Sequence, residues 1–285
     1  MSVGTRSDAA PGRLSAQLRA RHDPVAVILS PPRSGSTALA RSLWQHRAFR
    51  YYLHEPYDAA YHDGLALSPE IALDSVLDRG EIAGRDEAPG GSGIVVKEMT
   101  FQAAGRVAGM LGAATVPVIL LVRDPRLAVS SRMARREKDG LPARFPAAEA
   151  GWRDLAAARQ LLRDSGTRYI VVDISDVRRH PAGVLRAVCQ RLGLAFDPGM
   201  LSWPSAGSLR LGNLNGRQDA WYERVLSSTG FQPPDELVPG DDYFRDRQML
   251  DVLSECLRCY QDVRADPVFT SAPGHRRSWR GARRR

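Results

Sequence analysis

The apolar run VAVILS, residues 25–30, leads directly into the turn PPRSGST and then into a helical pattern from Thr37 to His46. A short apolar run bounded by prolines and by a Gly/Ser turn is typical of a strand buried on both faces, as in parallel α/β sheets. A turn between such a strand and a helix brings several backbone N–H groups to a helix N-terminus, where anions bind. The sequence therefore predicts a buried strand that ends in an anion-binding turn.

Strand and helix patterns continue to alternate along the chain. Apolar runs recur at 93–99 (GIVVKEM), 115–122 (TVPVILLV) and 168–174 (RYIVVDI). Helical patterns lie at 101–111, 125–138, 147–166 and 180–193. Alternating strands and helices favour βαβ units around a parallel sheet. We therefore expect an α/β fold, a P-loop-containing three-layer α/β/α architecture with a central, mostly parallel sheet.

Composition along the chain predicts one large domain, at residues 25–270. Residues 1–24 are rich in Arg, Ala, Gly and Ser and are predicted as a loose N-terminal arm, and residues 271–285 as a basic tail. The segment 195–220 has no regular pattern. Long irregular segments in compact enzymes are usually lids or substrate walls, and we expect that role here.

The positive charge is concentrated at the C-terminus. The formal net charge is +8, but the last eleven residues contain six arginines and no acid, and the remainder has 34 basic and 32 acidic residues. A solvated, mobile tail explains the high isoelectric point better than a nucleic-acid-binding surface does. We therefore predict no nucleic-acid partner.

Cysteine and hydropathy patterns favour a cytoplasmic protein. Three cysteines are too few for a disulfide framework, and the pair Cys256 and Cys259 lacks a second CxxC or a histidine pair to complete a zinc site. No segment approaches the roughly 20 apolar residues that span a bilayer, and no signal-like N-terminus is evident. We expect neither a metal site nor a membrane span.

Four residues of the turn, Ser34, Gly35, Ser36 and Thr37, are the candidates for anion binding. Their N–H groups converge at the start of the helix, Gly35 permits a tight turn, and the Ser36 and Thr37 hydroxyls add donors. A capped turn without any ligand would use the same residue types. The sequence of the turn alone leaves both interpretations open.

The turn departs from the GxxxxGK[ST] loop of nucleoside triphosphatases. With Gly35 aligned on the second glycine, Ser30 replaces the first glycine and Ser36 replaces the lysine. Arg33 supplies the positive charge instead, and its planar guanidinium can hold an oxyanion with two hydrogen bonds. A kinase that uses Mg-ATP is therefore the less favoured alternative.

A second motif, VPVILLVRDPRLAVSSR, places Arg123 at the end of a strand, where α/β sheets bind ligands. Asp124 and Pro125 suit the cap and first position of the following helix. Arg123 could instead form an ion pair with Asp124 or Glu137. Ser131 lies two helical turns further on and could instead bond a preceding carbonyl. The neighbouring Ser130 is an alternative contact.

Together the two motifs resemble those of sulfotransferases that use 3′-phosphoadenosine-5′-phosphosulfate (PAPS). PPRSGSTAL is similar to their phosphosulfate-binding loop, and Arg123, Pro125 and Ser131 match their second signature. The resemblance covers about residues 25–200. It implies that Arg123 and Ser131 bind the 3′-phosphate of PAPS and of its product, adenosine 3′,5′-bisphosphate (PAP). We expect no required metal, because a sulfuryl group carries less charge than a phosphoryl group, and the accepting hydroxyl could belong to a small metabolite, a sugar, a lipid or a tyrosine.

Two adjacent residues, His54 and Glu55, are candidates for the catalytic base. Glu55 lies 22 residues after Arg33, and tyrosylprotein sulfotransferases place a catalytic Glu at nearly this distance, whereas cytosolic members use a histidine. Neighbouring side chains of an extended segment point in opposite directions, so we expect only one to face the reacting sulfur. A carboxylate base needs a raised pKa, for which Tyr52 and Tyr57 could supply the dry surroundings. A solvated Glu in a turn is the alternative.

Lys97 is the second catalytic candidate, because it ends the apolar run GIVVK in a chain with only two lysines. A buried lysine is costly unless it faces a ligand or a partner such as Glu98. The resemblance implies that Lys97 stabilises the bridging oxygen and the leaving phosphate, with Arg33 as a third cation. It also implies a later loop over the nucleotide, for which Arg217 is the candidate.

The acceptor is not encoded in a readable motif. Aromatic residues near the irregular segment are candidates for the acceptor wall, although a packed core would use the same types: Trp203, Trp221, Tyr222 and Phe231. A non-catalytic anion-binding or nucleic-acid-binding module is a further alternative, with only the Arg-rich tail in its favour.

Overall fold

The computed structural model describes residues 13–62, 82–84, 91–205, 219–233 and 237–271. Seven strands of the described chain form one sheet in the order β3-β2-β4-β1-β5-β6-β7. Six strands are parallel, and β3 pairs with β2 in the antiparallel direction. The strands are β1 Val25–Ser30, β2 Phe49–His54, β3 Ile82–Gly84, β4 Gly93–Met99, β5 Val118–Val122, β6 Tyr169–Asp173 and β7 Phe269–Thr270.

Helices cover both faces of this sheet. One apolar cluster packs α1, α5, α6 and α10 on one face, and another packs α2 and α8 on the opposite face. The predicted three-layer α/β/α fold is therefore confirmed. The helices are α1 Arg13–Arg21, α2 Ser36–Gln45, α3 Asp58–His62, α4 Val107–Leu111, α5 Pro125–Lys138, α6 Trp152–Asp164, α7 Ile174–Arg179, α8 Pro181–Leu192, α9 Asp219–Leu226 and α10 Arg247–Arg264.

The position of β1 determines where the site lies. β1 pairs with β4 on one side and with β5 on the other, so the chain crosses from one side of β1 to the other between β4 and β5. Such a crossing opens a crevice at the carboxyl ends of the strands, which is where open α/β sheets bind ligands. Both sequence motifs end at this edge.

Glycines account for two differences from the predicted helices. The helix predicted over 101–111 is confined to Val107–Leu111, because Gly105 adopts a φ of 76° and interrupts it. The helix predicted over 147–166 is divided by Gly151, with a φ of 71°, into a 3-10 turn at Ala147–Ala150 and α6.

A third difference is the strand β2, which was not predicted, because its sequence FRYYLH mixes apolar and polar residues.

The prediction of a loose arm over 1–24 is wrong for its described part. Arg13–Arg21 forms α1, whose Leu18 is fully buried, and Ser15 donates a hydrogen bond to the Gly109 carbonyl. The buried Leu18 and the hydrogen bonds of Ser15 and Arg19 to the carbonyls of Gly109 and Gly112 attach this short helix to the domain. Residues 1–12 and the tail from residue 272 onward lie outside the described residues.

The structure also locates the features relevant to metals and membranes. Cys256 and Cys259 lie on α10, where Cys256 is part of the apolar core. The described residues contain no group of three or more His, Cys, Asp or Glu side chains arranged to hold a metal ion. None of the helices in this part of the chain is long and apolar enough to cross a bilayer.

Candidate active site

The turn after β1 adopts the predicted strand–turn–helix geometry. Arg33 and Gly35 have φ values of 63° and 75°, and α2 begins at Ser36. A Cβ atom on Gly35 would lie 2.8 Å from the Ile174 Cγ1 atom. Both the backbone conformation and the available space therefore require glycine at position 35.

The polar groups of this turn are suited to bind an anion. Ser34, Ser36 and Thr37 are buried, and Gly35, Ser36 and Thr37 line a cavity. The Ser34 hydroxyl is enclosed and has no hydrogen-bond partner within the described part of the chain. Because Ser34 does not line the cavity, the groups available to an anion there are those of Gly35, Ser36 and Thr37.

The end of β5 positions Arg123. Asp124 caps α5 by accepting from the Arg126 N–H at 3.0 Å, and Pro125 is the first residue of the helix. The Asp124 carboxylate pairs with the Arg126 guanidinium at 2.6 Å. Arg123 donates from Nη1 to the Arg33 carbonyl at 3.0 Å, so it is directed towards the turn after β1.

Ser131 also contacts this turn. Its hydroxyl accepts a hydrogen bond from the Arg33 Nε atom at 3.1 Å. Ser130, the alternative, donates its hydroxyl to the Leu127 carbonyl at 3.3 Å within α5. Both serines line the cavity. The structure thus brings the two sequence motifs together, although they are about 90 residues apart in the chain.

Arg33 is the link between these motifs and α9. Its Nη1 atom donates to the Trp221 carbonyl at 3.2 Å, and its Cζ atom lies 5.7 Å from the centre of the Trp221 ring. Burial, and secondly the nearby Arg123 charge, lower the pKa of Arg33 to about 10. The guanidinium remains charged at neutral pH, and an anion between the two arginines would relieve their repulsion.

Glu55 follows β2 in a left-handed backbone conformation, with a φ of 45°. Its N–H donates to the Lys97 carbonyl at 2.7 Å, which ties it to the end of β4. The positive φ ends the strand alternation at this residue, so the side chains of His54 and Glu55 meet, with 3.4 Å between His54 Nε2 and Glu55 Oε1. The expectation that the two side chains point in opposite directions is wrong for this reason.

The Glu55 carboxylate is the centre of a buried polar cluster. Its Oε1 atom accepts hydrogen bonds from the Lys97 ammonium and, at 2.8 Å, from the Tyr222 hydroxyl. Glu55 is 1% exposed and Lys97 is 2% exposed. Burial raises the pKa of Glu55, but Lys97, His54 and the hydrogen bonds outweigh it, so the pKa lies below its ordinary value. The expected raised pKa is therefore wrong for the arrangement described here.

His54 lies behind Glu55 and away from the cavity. Its Nδ1 atom shares a hydrogen bond with the Tyr52 hydroxyl, and its ring lies edge-on to Tyr222 with centroids 5.0 Å apart. Burial lowers the pKa of His54 to about 3, with Lys97 adding to this and Glu55 opposing it. The imidazole is therefore neutral. Of the two candidate bases, Glu55 lines the cavity, whereas His54 is not among its lining residues in the described chain.

Glu98, the alternative partner of Lys97, has a different set of contacts. Its carboxylate accepts from the Tyr57 and Met99 N–H groups, both at 2.7 Å. Burial, and secondly the Glu55 charge, raise the pKa of Glu98. By holding Tyr57, Glu98 fixes the turn that presents Glu55.

The turn after β1, the start of α5 and the polar cluster around Glu55 meet at one cavity of about 760 Å³ at the carboxyl edge of the sheet. The residues described above that line it are Arg33, Gly35, Ser36, Thr37, Glu55, Lys97, Arg123, Ser130, Ser131, Trp221 and Tyr222. Positive charge dominates the lining, which favours an anionic ligand. The charged lining residues are Arg33, Lys97, Arg123, Arg132, Arg136, Arg178 and Arg224, against Glu55 and Glu149.

The aromatic candidates divide into two groups. Trp221, Tyr222 and Phe231 line the cavity. Trp203 lies outside the lining, where its indole N–H donates to the Ser228 hydroxyl at 3.3 Å. Arg217 lies outside the described residues.

Two functional contacts were not predicted. Tyr222 was expected only as a candidate for the wall of the acceptor pocket. Its hydrogen bond to Glu55 joins residues that are 167 positions apart, so no local sequence pattern indicates it. Arg41 of α2 donates to the carbonyls of Val225 and Pro204 and so attaches α9 to α2. A buried arginine on an otherwise apolar helix face is a signal that could have indicated such a contact.

Both a family model and a curated protein match this chain. A family model described as "Sulfotransferase domain" matches residues 25–266. A curated relative, the branched-chain-amino-acid aminotransferase-like protein 2 of Arabidopsis thaliana, is 30% identical over 119 residues. That match covers 41% of this chain and 20% of the relative, so the chain spans about a fifth of the relative's length.

Three solved structures similar to this chain are described as sulfotransferases. The sulfotransferase domain of a Synechococcus olefin synthase is 20% identical, with a TM-score of 0.47 and coverage of 82% of this chain and 94% of that chain. A sulfotransferase from Alicyclobacillus acidocaldarius is 15% identical, with a TM-score of 0.45 and coverage of 78% and 99%. A mouse sulfotransferase complexed with PAP is 13% identical, with a TM-score of 0.41 and coverage of 88% and 87%.

The family model extends from the first residue of β1 almost to β7, across both motifs and the cavity between them. The chain therefore belongs to the sulfotransferase domain family, whose members transfer sulfuryl groups.

Proposed function

We propose that this sulfotransferase moves a sulfuryl group from PAPS to an acceptor hydroxyl, with Glu55 as the general base. The observation that carries the proposal is the meeting of two groups of residues on one cavity. One group comprises the anion-binding turn with Arg123 and Ser131, and the other comprises Glu55 and Lys97. Sulfuryl transfer needs this combination, because a base must remove a proton while cations stabilise negative oxygens.

The residues present fit a doubly anionic nucleotide. The N–H groups of residues 34–37 and the Arg33 guanidinium would hold the phosphosulfate, and Arg123 and Ser131 would hold the 3′-phosphate. The excess of arginines in the lining supports an anionic ligand. When bound, PAPS supplies the sulfuryl group and a bisphosphate leaving group.

Lys97 connects anion binding to the strength of the base. In the described structure its ammonium bonds to Glu55 Oε1 and is the main favourable influence that keeps the pKa of that carboxyl low. An anion that draws the ammonium away leaves Glu55 with the effect of burial, which raises its basicity. Glu55 would then accept the proton of an acceptor hydroxyl only when the anion site is filled.

The acceptor class follows from the resemblance and the cavity only in general terms: a small molecule, a sugar or a lipid that carries a hydroxyl. Trp221 and Phe231 provide an aromatic wall for it. Mass spectrometry of a cell extract incubated with the protein and PAPS would identify it, as products heavier by one SO₃ group. An extract without such products would contradict the proposed transfer.

Ligand-induced thermal shifts test the donor directly. We expect PAP to raise the melting temperature without added metal and Mg-ATP to raise it little, since binding to the folded state stabilises it. Arg123→Ala should reduce the PAP shift, whereas Arg126→Ala, at a neighbouring arginine that pairs with Asp124 outside the cavity, should retain it. A larger shift with Mg-ATP would favour a kinase, and no shift with either would contradict the proposal.

A further inference from the structure

The Tyr222 hydroxyl already has the contact that an acceptor hydroxyl needs. It donates to Glu55 Oε1 at 2.8 Å, and Lys97 contacts the same carboxylate oxygen. Glu55, Lys97 and Tyr222 all line the cavity that contains the anion-binding turn. A base removes a proton efficiently when the donor lies within this hydrogen-bonding distance.

We propose that Tyr222 is a self-modification site, at which the protein transfers a sulfuryl group from PAPS to its own phenol when no acceptor is bound. This inference rests on the proposed function. Its basis is that the Tyr222 hydroxyl and the Lys97 ammonium both donate to the same Glu55 carboxylate oxygen, and that all three residues line the cavity.

The step balances without a further reactant. The Tyr222 oxygen forms a bond to sulfur while the bond between sulfur and the bridging phosphate oxygen breaks, and PAP leaves. The phenolic proton passes to Glu55. No electron transfer occurs, and the product is a tyrosine sulfate ester. Burial and the Glu55 charge raise the pKa of Tyr222, so the phenol is protonated at neutral pH and needs this base.

Other tyrosines of the described chain do not combine these contacts. Tyr260 and Tyr169 donate to the carboxylates of Asp173 and Asp266, but neither tyrosine lines the cavity. Tyr61 lines the cavity, but its ring packs edge-on against Phe101 with centroids 5.0 Å apart. Tyr61 is therefore a matched control from the same cavity.

The local sequence allows the product to be located without ambiguity. Trypsin should release residues 218–224 as QDAWYER, in which Tyr222 is the only hydroxyl-bearing side chain. The full chain would be incubated with radiosulfur-labelled PAPS and no added acceptor, then denatured and digested. We expect the label in this peptide, with close to one SO₃ group per chain.

Three variants make the test specific. Tyr222→Phe keeps the ring that packs on His54 and should lose the label, as should Glu55→Gln. Tyr61→Phe should keep it. The PAP-induced thermal shift is measured for every variant, because it reports folding and donor binding independently of transfer.

The outcomes separate this inference from the proposed function. A PAP shift in the unmodified protein without label in QDAWYER would overturn the self-modification alone. Full labelling of Glu55→Gln, or labelling of Tyr222→Phe at the wild-type level, would also overturn it. The absence of any PAP shift would contradict the proposed donor and, with it, this inference.

Discussion

Two regions of the cavity are built by different means. The proposed anion-binding side consists of the turn after β1 and of Arg123 and Ser131 after β5, and its shape depends on a glycine, on the capped start of α5 and on backbone N–H groups. The proposed base side consists of Glu55 after β2 and Lys97 at the end of β4, and it depends on a buried ion pair. Because the two sides use different strands and different interactions, substitutions should separate donor binding from transfer.

The largest effect is expected on the base side. Glu55→Gln keeps the size of the side chain but removes the proton acceptor, so turnover should fall by about a hundred- to ten-thousand-fold. The affinity for PAP, measured by calorimetry, should stay near the wild-type value, because the anion-binding side is unchanged.

A second glutamate of the same cavity provides the control for this substitution. Glu149 pairs with Arg132 and does not contact Lys97 in the described contacts, so Glu149→Gln should retain most of the turnover. If Glu55→Gln retained full turnover, the role of base would move to His54.

Arg123→Ala should mainly weaken PAP binding and leave turnover less affected, the reverse of what is expected for Glu55→Gln. Loss of a charged hydrogen-bond donor costs about 1.5–3 kcal/mol, which corresponds to about ten- to a hundred-fold weaker PAP binding. Turnover at saturating PAPS should change much less than the affinity. Equal losses of affinity and turnover would show that the two sides are not separable.

The pH dependence of the free energy of unfolding reports whether His54, beside Glu55, is as buried as the structure has it. The folded-state pKa of His54 is about 3, below its ordinary value of 6.5. As pH falls below the ordinary value, the unfolded chain takes up a proton that the folded protein does not, so stability is lost towards acid.

His54→Asn should remove this pH dependence. Between about pH 7.5 and pH 4.5, the free energy of unfolding of the wild type should fall by about 2–3 kcal/mol more than that of the variant. Denaturant titrations at the two pH values measure the difference. Parallel losses in both proteins would mean that His54 is more accessible to protons than its burial indicates.

The smallest expected effect is on stability, from replacing Gly35 in the turn after β1 with alanine. Comparison with Gly105→Ala separates the cost of the left-handed backbone from the cost of crowding by a neighbouring side chain. Gly35 and Gly105 have φ values of 75° and 76°, but only at Gly35 would a Cβ atom meet a neighbour within 4 Å. Gly105→Ala should therefore cost about 1 kcal/mol of stability from the left-handed backbone alone. Gly35→Ala should cost about 1 kcal/mol more and should also weaken PAP binding. Equal costs would mean that Ile174 moves aside.

The two sides also differ in how far the sequence predicts them. On the anion-binding side, the turn after β1 and the Asp124–Pro125 helix start follow from local residue types, and the structure has both where they were expected. The meeting of the motifs through Arg33 follows from the parallel sheet, because adjacent strands end at the same edge.

The base side was predicted as residues but not as an arrangement. The positive φ at Glu55 is unusual for a residue with a side chain, so a pattern of alternating strand positions gave the wrong orientation relative to His54. The low pKa of Glu55 depends on Lys97 and Tyr222, which are 42 and 167 residues away. Contacts across such distances depend on the packed tertiary structure rather than on local propensity.

Through Arg41, helix α2 holds the chain around α9 as well as the turn after β1. Arg41, on the helix that starts at the turn after β1, donates to the Val225 carbonyl in α9, the helix that carries Tyr222, and to the Pro204 carbonyl in the chain before α9. An exchange of residues 219–233 between relatives must therefore preserve the position of the Val225 carbonyl, or transfer α2 with the segment. The turn proposed to bind the donor and the helix that carries Tyr222 are therefore linked through one side chain.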